Sequence, residues 1–281
     1  MLRLCLRGLR QNGSLPHQVV AFVNEGRDGT ADFLAAEAPE VDVVVAPRNV
    51  GICYALNLAR RLARAEYLVY LNDDMFVLPG WDARLLAVAD AMPRGRFMLS
   101  ATMIEPYESG NACVSYGDYG HAVAEFREAE LLARYREHAR ADWSGSTWPP
   151  NLLPTELWDA VGGLSVEFSP GIYSDPDLSM KCWAAGVREF RGVGDSLVYH
   201  FGRQSTRRLG RHRGQARFLG KWGMTASAFS KYYLRLGQPY AGPLPEVAPR
   251  LSTARRLKDG WRRVRASLGP LEADDARGGS E

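Results

Sequence analysis

The chain has 281 residues, of which 46% are hydrophobic and 24% charged, a composition typical of a globular protein. No stretch approaches the roughly 18 consecutive apolar residues of a transmembrane helix, so the sequence excludes one. Residues 1–10 alternate Arg with Leu and lack the apolar core of a signal peptide, so we expect a cytoplasmic protein.

The formal net charge of +3 conceals an uneven distribution. Residues 203–281 contain 17 Lys and Arg against 6 Asp and Glu, whereas residues 1–202 are net acidic. A basic C-terminal third indicates an anionic partner: substrate phosphate, a membrane surface or nucleic acid. The four cysteines are scattered without a C-x-x-C pair, which predicts reduced thiols rather than a disulfide framework or a zinc site.

The first hundred residues alternate predicted helices with short apolar strands. An amphipathic helix opens the chain, although its first three leucines also fit a strand. The pattern then predicts strands over residues 19–23, 41–45, 67–71 and 97–103, separated by helices over residues 31–38, 52–63 and 81–91. This alternation predicts βαβ units, and hence an α/β fold with a mainly parallel sheet flanked by helices.

The strand at residues 67–71 is the feature around which the sequence is organised. Its unbroken apolar run is typical of a strand buried on both faces, and it ends in Asn72-Asp73-Asp74. In open α/β sheets, ligands bind beyond the carboxyl ends of the strands. Adjacent carboxylates at such a position are stabilised by a cation, and Mg²⁺ carrying a phosphate suits them. A solvated polar turn is the alternative interpretation.

The second half of the chain is less regular. The pattern predicts a charged helix over residues 122–140, an N-cap at Thr155 and helices over residues 156–161 and 178–185. After these it predicts a strand over residues 196–199 that ends at His200, a basic helix over residues 254–268 and a disordered end. Asp175 and Asp177 precede one of these helices. Three polar groups, Asp73/Asp74, Asp175/Asp177 and His200, therefore lie at the ends of predicted elements.

Together with the motifs around them, these groups resemble the family 2 glycosyltransferases of the GT-A fold. The resemblance covers about residues 2–202 and rests on Asn49-Val50-Gly51 with Ala55 and Asn57; Leu71-Asn72-Asp73-Asp74 with Pro79-Gly80-Trp81; Leu153-Pro154 with Trp158 and Val161-Gly162-Gly163; Ser174-Asp175-Pro176-Asp177-Leu178-Ser179-Met180-Lys181; and Val198-Tyr199-His200. No single motif is decisive, but their order and spacing agree.

The resemblance implies a metal-dependent enzyme that moves a sugar from a nucleotide-sugar donor to an acceptor hydroxyl, with inversion at the anomeric carbon. It implies Mn²⁺ or Mg²⁺ on the donor diphosphate, and a glycan, lipid-linked or protein acceptor. Residues 1–240 would form the GT-A domain, with a nucleotide-binding half (1–104), an acceptor half (105–202) and a basic lid (203–240). Residues 241–281 would be a basic tail, partly disordered.

Individual roles follow from the same resemblance. Asp74 occupies the metal-binding position, next to Asn72 and Asp73 at the donor. His200 matches a position that completes the metal site, although a histidine after a strand also suits a structural role.

Asp175 matches the catalytic base, which accepts the proton of the attacking hydroxyl. Its alternative role is a helix N-cap, for which Ser-Asp-Pro-Asp is good chemistry. We expect Asp177 to support the helix start or to orient the acceptor.

The remaining donor contacts are expected from residues that the resemblance places near the nucleotide: Asn24, Asp28, Asn49, Gly51, Asn57, Arg203 and Arg207. Asn24 stands in for base recognition. The two arginines belong to the basic lid, where guanidinium groups would bind phosphate. A solvated charged loop is the alternative for that segment. The basic tail helix would suit anionic lipid and so peripheral membrane contact.

One feature departs from the resemblance. The family begins with an apolar strand, whereas this sequence begins in the helix that follows it, and we expect that strand to be encoded upstream. If the strand is absent, a degenerate, non-catalytic module of the same fold becomes the alternative function. A nucleotidyltransferase would need a Gly-rich phosphate loop, which the sequence lacks. Too few aromatic residues accompany the basic tail for nucleic-acid binding.

Overall fold

The computed structural model describes residues 1–92, 95–202, 214–249 and 252–268. Within these ranges the chain forms ten α-helices: α1 (Leu2–Asn12), α2 (Thr30–Glu37), α3 (Gly51–Ala59), α4 (Trp81–Asp90), α5 (Glu128–Arg134), α6 (Thr155–Ala160), α7 (Ser174–Ala184), α8 (Gly214–Trp222), α9 (Ala226–Ala228) and α10 (Thr253–Leu268). It also forms nine strands: β1 (Val20–Asn24), β2 (Asp42–Ala46), β3 (Tyr67–Tyr70), β4 (Met75–Val77), β5 (Phe97–Glu105), β6 (Val114–Tyr116), β7 (Trp143–Ser144), β8 (Asn151–Pro154) and β9 (Glu189–His200).

The strands form two separate sheets. β1 and β2 pair in parallel as a two-stranded sheet. The other seven form a second sheet in the order β3-β8-β5-β9-β4, with β6 added to β5 and β7 added to β9. The predicted α/β class with flanking helices is confirmed.

The larger sheet is mixed rather than mainly parallel. β5 pairs in parallel with β6 and β9, whereas β8 is antiparallel to β3 and β5, and β9 is antiparallel to β4 and β7. The expectation of a parallel sheet came from the βαβ pattern of the first hundred residues. The antiparallel strands β4, β7 and β8 have two to four residues each, too few to show a period of two in the sequence.

The core lies on both faces of β5, whose first eight residues are all buried. Leu99 and Ala101 point to one face, where they pack with Trp81 and Leu85 of α4. Met98 points to the other, where it packs with residues of α6, α7 and α8. A strand covered by helices on both faces is largely apolar, and β5 follows this rule. Its two buried polar residues are hydrogen-bonded, since the Ser100 hydroxyl contacts Asn151 Oδ1 at 2.7 Å and the Thr102 hydroxyl donates to the Val193 carbonyl at 2.9 Å.

β3 differs from the expectation of a strand buried on both faces. Val69 is 38% exposed, and only Tyr70 of its four residues is buried. The reason is tertiary: β3 has β8 on one side, and no described strand pairs with its other edge.

Several local predictions also need correction. Thr155 is not an N-cap but the first residue of α6, and its hydroxyl donates to the carbonyl of Ala65 at 2.7 Å. The helix predicted over residues 122–140 is shorter, since α5 is flanked by 3₁₀ turns. The residues predicted to be disordered, 269–281, lie outside the described residues.

The structure also bears on the predictions about the cysteines and about transmembrane helices. All four cysteines are free and buried, as expected for reduced thiols. Over the described part of the chain, none of the helices combines the length and the apolar character that crossing a bilayer requires.

Candidate functional site

A cleft of about 900 Å³ opens where β3 ends, and the start of α7 forms its other wall. It brings together Asp73 and Asp74 from the end of β3 with Asp175 from the first turn of α7, although about a hundred residues separate them in sequence. The fold therefore brings to one cleft three acids that the sequence analysis placed at the ends of predicted elements.

The pairing of β4 with β9 positions Asp74. Met75 is opposite His200 in this antiparallel pair, and the backbone N–H of Phe201 donates to the Asp74 carbonyl at 3.1 Å. The short strand β4 thus places the Asp74 carboxylate beside the His200 ring, where Nε2 and Oδ1 are 3.5 Å apart.

His200 lies between two acids. Its Nδ1 is 2.7 Å from Oε1 of Glu105, at the end of β5, and both side chains are less than one-fifth exposed. Burial lowers the pKa of His200, but the contacts with Asp74 and Glu105 outweigh it and raise the pKa to about 9. The ring is therefore an imidazolium at neutral pH, and it compensates the buried carboxylates in the free protein.

The residues at the end of β3 provide part of a binding site for a divalent cation. Asp74 Oδ1 is buried and makes no hydrogen bond of normal geometry with the described residues, although the His200 ring lies 3.5 Å away. An unpaired buried carboxylate oxygen is costly unless a cation or donor reaches it. The described residues contain no group of three His, Cys, Asp or Glu side chains arranged to hold a metal. Asp74, with His200 once deprotonated, would supply two ligands, and Mg²⁺-type sites usually take the rest from substrate phosphate and water.

Asp175 is not the N-cap of its helix, so that alternative to the predicted base role is wrong. The N-cap of α7 is Tyr173, and no side chain caps this helix end. Tyr173 has φ 76°, an unusual conformation for a non-glycine residue, and this turn directs the first helical turn toward the cleft. Asp175 Oδ1 is buried and has no hydrogen-bond partner in the described part of the chain. Burial raises the pKa of Asp175 to about 7, against the contact with Ser174, which lowers it.

Asp177 has a different environment. It is fully buried and outside the cleft lining, and it accepts hydrogen bonds from Ser165 Oγ at 2.5 Å and from Trp222 Nε1 at 2.7 Å. Lys221 Nζ lies 2.9 Å from it. These contacts join α7 to α8, so Asp177 fixes the helix that carries Asp175 and acts as a positioning residue.

The predicted nucleotide contacts near the amino terminus are used in local structure. Asn24 Oδ1 accepts from the Val50 N–H at 2.7 Å, which ties the end of β1 to the loop before α3. Asp28 Oδ1 accepts from the Thr30 N–H at 3.1 Å, at the start of α2. Neither residue lines the cleft, and both line a neighbouring cavity between β1 and β3.

Three further predicted contacts also tie loops together. Asn49 Oδ1 accepts from the Gly51 N–H at 2.9 Å, and Gly51 has φ 73° at a point where a Cβ would lie 2.4 Å from Ser169 Oγ. The Asn57 amide makes two hydrogen bonds with the backbone of Leu164, at 2.7 and 2.9 Å. These residues hold the loop that precedes α7, so they shape the wall of the cleft indirectly.

Sequence reasoning missed Glu105, which contacts His200, and several residues that line the cleft. Glu105 orients His200, and an acid at the end of a buried strand is a signal that was available in the sequence. The cleft is also lined by Tyr70, Thr147, Trp148, Ser230, Lys231 and Gln238. Lys231 is exposed and brings a positive charge to the opening, which the irregular sequence around it did not indicate. Arg203 and Arg207, expected in a lid, lie outside the described residues.

Residues 1–108 match a family model described as glycosyl transferase family 2. A protein of Sinorhizobium fredii named uncharacterized protein y4gI is 26% identical over 151 residues, which cover 51% of this chain and 16% of that protein. The predicted resemblance to family 2 glycosyltransferases is thereby confirmed over the N-terminal segment.

The fold is also that of solved glycosyltransferase-type structures. TarS 1–349 of S. aureus in complex with UDP-GlcNAc superposes with a TM-score of 0.53 at 13% identity, covering 78% of this chain and 60% of that one. A second TarS 1–349 structure gives a TM-score of 0.52 at 13% identity, with 71% and 56% covered. The predicted GT-A fold is confirmed. The chain spans less than two thirds of the length of each of these relatives.

Proposed function

We propose that this protein is a metal-dependent glycosyltransferase, which transfers a sugar from a nucleotide-sugar donor to an acceptor hydroxyl with inversion. One observation carries the proposal: Asp74, which is paired with His200, and Asp175 line a single cleft. Two acids in different environments suit two different tasks, charge stabilisation and proton transfer.

Asp74 and His200 would hold a divalent ion at the donor diphosphate, and that ion supplies charge neutralisation as the nucleoside diphosphate departs. Asp73, exposed beside Asp74, and Lys231 at the opening add charges with which the cleft orients the donor. Asn72 lines both the cleft and the adjoining cavity, so it marks where the donor crosses from one to the other.

Asp175 acts on the acceptor. The acceptor oxygen forms a bond to the anomeric carbon while the bond from that carbon to the diphosphate oxygen breaks, and the bonding electrons leave with the diphosphate. The hydroxyl proton passes to the Asp175 carboxylate. A pKa of about 7 suits this role, since a base is most effective when its pKa lies near the working pH.

UDP-GlcNAc, the ligand of the TarS complex, is the first donor to test. The experiment measures UDP release and donor binding with UDP-GlcNAc and a panel of other nucleotide sugars, with and without Mn²⁺. Metal-dependent donor binding together with turnover that Asp175→Asn abolishes is the expected result. Metal-independent binding without turnover for every donor would favour the non-catalytic module.

We further propose that the acceptor is lipid-linked and that the protein meets it at an anionic membrane surface. The exposed face of α10 supports this. Leu257 and Trp261, four residues apart on this helix, are 69% and 64% exposed, whereas Asp259 on the other side is 2% exposed. The helix also carries Arg262 and Arg263, and an exposed apolar stripe with basic neighbours suits binding in the headgroup region. Trp261→Ala should reduce sedimentation with vesicles containing phosphatidylserine, and unchanged sedimentation would contradict the membrane part alone.

A further inference from the structure

Thr147 is a buried residue of the cleft that has no role in the proposed mechanism. It is 1% exposed, and its Oγ1 makes no hydrogen bond with the described residues. The residue nevertheless lines the cleft, together with Asp175. A hydroxyl that is removed from water without gaining a partner destabilises the folded chain, so an unpaired one at this position points to a bound ligand.

The backbone around Thr147 is held in place by buried hydrogen bonds. Ser100 of β5 is fully buried, and its Oγ lies 2.7 Å from Oδ1 of Asn151, the first residue of β8. The same Oγ lies 2.7 Å from Ser146 Oγ and 3.1 Å from the Trp148 carbonyl oxygen. These contacts fix the residues on both sides of Thr147, so its hydroxyl is unpaired in a well-anchored loop.

A second hydroxyl links this loop to the helix that carries Asp175. Ser179 of α7 is fully buried. Its Oγ lies 3.0 Å from the Ser146 carbonyl oxygen and 3.1 Å from the Asp175 carbonyl oxygen. One side chain thus bridges the residue before Thr147 and the proposed base. Thr147 and Asp175 are therefore held close together in the wall of the cleft.

Tyr70 adds a third polar group to this part of the cleft. It is opposite Asn151 in the pairing of β3 with β8, and the Asn151 amide lies 3.5 Å from the Thr147 carbonyl oxygen. Tyr70 is 8% exposed and lines the cleft. Burial and the negative charge of Asp175 raise the pKa of Tyr70 well above its usual value. Its phenol is therefore a hydrogen-bond donor at neutral pH.

The chemistry of these residues suits a sugar. Trp148 is half-buried and lines the cleft, so it offers an apolar ring beside the hydroxyl of Thr147. A sugar ring has an apolar face of C–H groups and hydroxyls around its edge, which matches an aromatic surface flanked by polar groups. The single hydroxyl of a serine or threonine in a protein acceptor would meet Asp175 and leave Thr147 unpaired.

We propose that Thr147 binds a second hydroxyl of the acceptor, next to the one that Asp175 deprotonates, and that the acceptor is therefore a sugar residue. A lipid-linked glycan presents such a residue. The inference rests on the proposed function, because it takes Asp175 as the base. Thr147 then determines specificity, since a site built around a substrate hydroxyl rejects acceptors that lack it.

The first experiment measures the stability of the full chain and needs no substrate. Thr147→Val removes an unpaired hydroxyl and keeps the shape of the side chain, so the melting temperature should rise by roughly 2–4 °C. Thr102→Val is the matched control. Thr102 is also fully buried, but its hydroxyl donates to the Val193 carbonyl at 2.9 Å and accepts from Trp143 Nε1 at 2.9 Å. This variant should melt below the parent, because both partners become unpaired.

The second experiment measures transfer from the donor that the nucleotide-sugar panel selects. The acceptors are methyl glycosides, their monodeoxy derivatives and a serine-containing peptide. For the best glycoside, Thr147→Val should lower kcat/KM roughly 10- to 100-fold, while the KM for the donor stays unchanged. Thr147→Ser, which keeps the hydroxyl, should retain most of the activity.

The monodeoxy derivatives identify the hydroxyl that Thr147 binds. One derivative that still reacts should lose the same factor with the parent protein as Thr147→Val loses with the intact glycoside. It should lose nothing further with Thr147→Val, because the two changes remove the same hydrogen bond.

Three results would overturn the proposal. If Thr147→Val melts below the parent, the hydroxyl has a structural role. If the variant raises the KM for the donor and leaves the use of the acceptor unchanged, the hydroxyl binds the donor. If the peptide accepts sugar as well as the glycosides do, the acceptor is not restricted to sugars.

Failure of the proposed function would give a different result, since the parent protein would then transfer no sugar from any donor. In that case the subsite is tested by binding alone. Methyl glycosides at high concentration should raise the melting temperature of the parent but not that of Thr147→Val, because a ligand stabilises the state that it binds. The absence of a shift for the parent would overturn the subsite as well.

Discussion

The two sheets of this protein contribute to its site in different ways. The larger sheet holds Asp74, Glu105 and His200 at the ends of paired strands, where buried contacts fix each side chain. Asn24 ends β1 of the two-stranded sheet and Asp28 lies in the loop after it, beside the cavity between β1 and β3. Their side-chain oxygens accept hydrogen bonds from nearby backbone N–H groups. Acids fixed in a packed sheet can stabilise charge without reorganising, so the comparison favours the larger sheet for the charge stabilisation that we propose.

The first and largest effect is expected at Asp175. Asp175→Asn should reduce sugar transfer ~100- to 10,000-fold, because general-base catalysis contributes about that much. Donor affinity should stay close to that of the parent, and the variant should keep the fold, since Asp175 does not cap α7. The measurement is turnover at saturating donor, with Asp159→Asn at the exposed end of α6 as the control. Near-normal turnover of the Asn variant would show that Asp175 is not the catalytic base.

Substitution of Asp74 should weaken donor binding rather than the chemical step. Asp74→Ala should weaken Mn²⁺-dependent donor binding ~100-fold, in line with the loss of a carboxylate from a metal site whose supporting contacts alone are worth 10- to 100-fold. Asp73→Ala, one residue earlier and more exposed, should weaken it much less. Calorimetric titration with UDP and Mn²⁺ measures both. If both variants lose the same donor affinity, Asp74 contributes no more to the metal site than Asp73 does, despite its contact with His200.

The pH dependence of transfer should report the buried acid. Because burial raises the pKa of Asp175 to about 7, and the base acts only when deprotonated, kcat/KM should rise about tenfold per pH unit below that value and level off above it.

The free energy of unfolding should depend on pH in the opposite direction, falling where kcat/KM rises. The pKa in the unfolded chain is ~3.9, so the stability contribution of protonated Asp175 is lost as pH rises from about 4 to 7. The Asn variant, compared at pH 5 and pH 8, should lack this loss.

The smallest effect concerns the contact between α7 and α8. Lys221→Met removes one of three partners from the buried Asp177 and should cost about 1–3 kcal/mol of stability, as expected for a hydrogen bond to a charged group. Arg60→Met, which breaks the more exposed pair with Asp159, should cost about 0–1 kcal/mol. Chemical denaturation measures both. If the Lys221 variant is as stable as the Arg60 variant, Asp177 does not depend on α8 for its position.

The sequence by itself determined the α/β class, the helices and longer strands of the first hundred residues, and the candidate acids at element ends. These features are local, because apolar periodicity and the polar residues that interrupt it are visible within short windows. The same information identified Asp74, Asp175 and His200, through motifs whose order and spacing resemble a known family.

Tertiary structure alone decided the rest. β4 and β8 are too short to show a period, and only pairing with β9, β3 and β5 reveals them. Asp175 and Asp177 look alike in sequence, two residues apart at a helix start, yet one lines the cleft and the other is buried against α8. β3 reads as a fully buried strand and is half-exposed, because burial depends on whether a neighbouring strand is present. Contacts between residues a hundred positions apart leave no local pattern, so they appear only when the chain is folded.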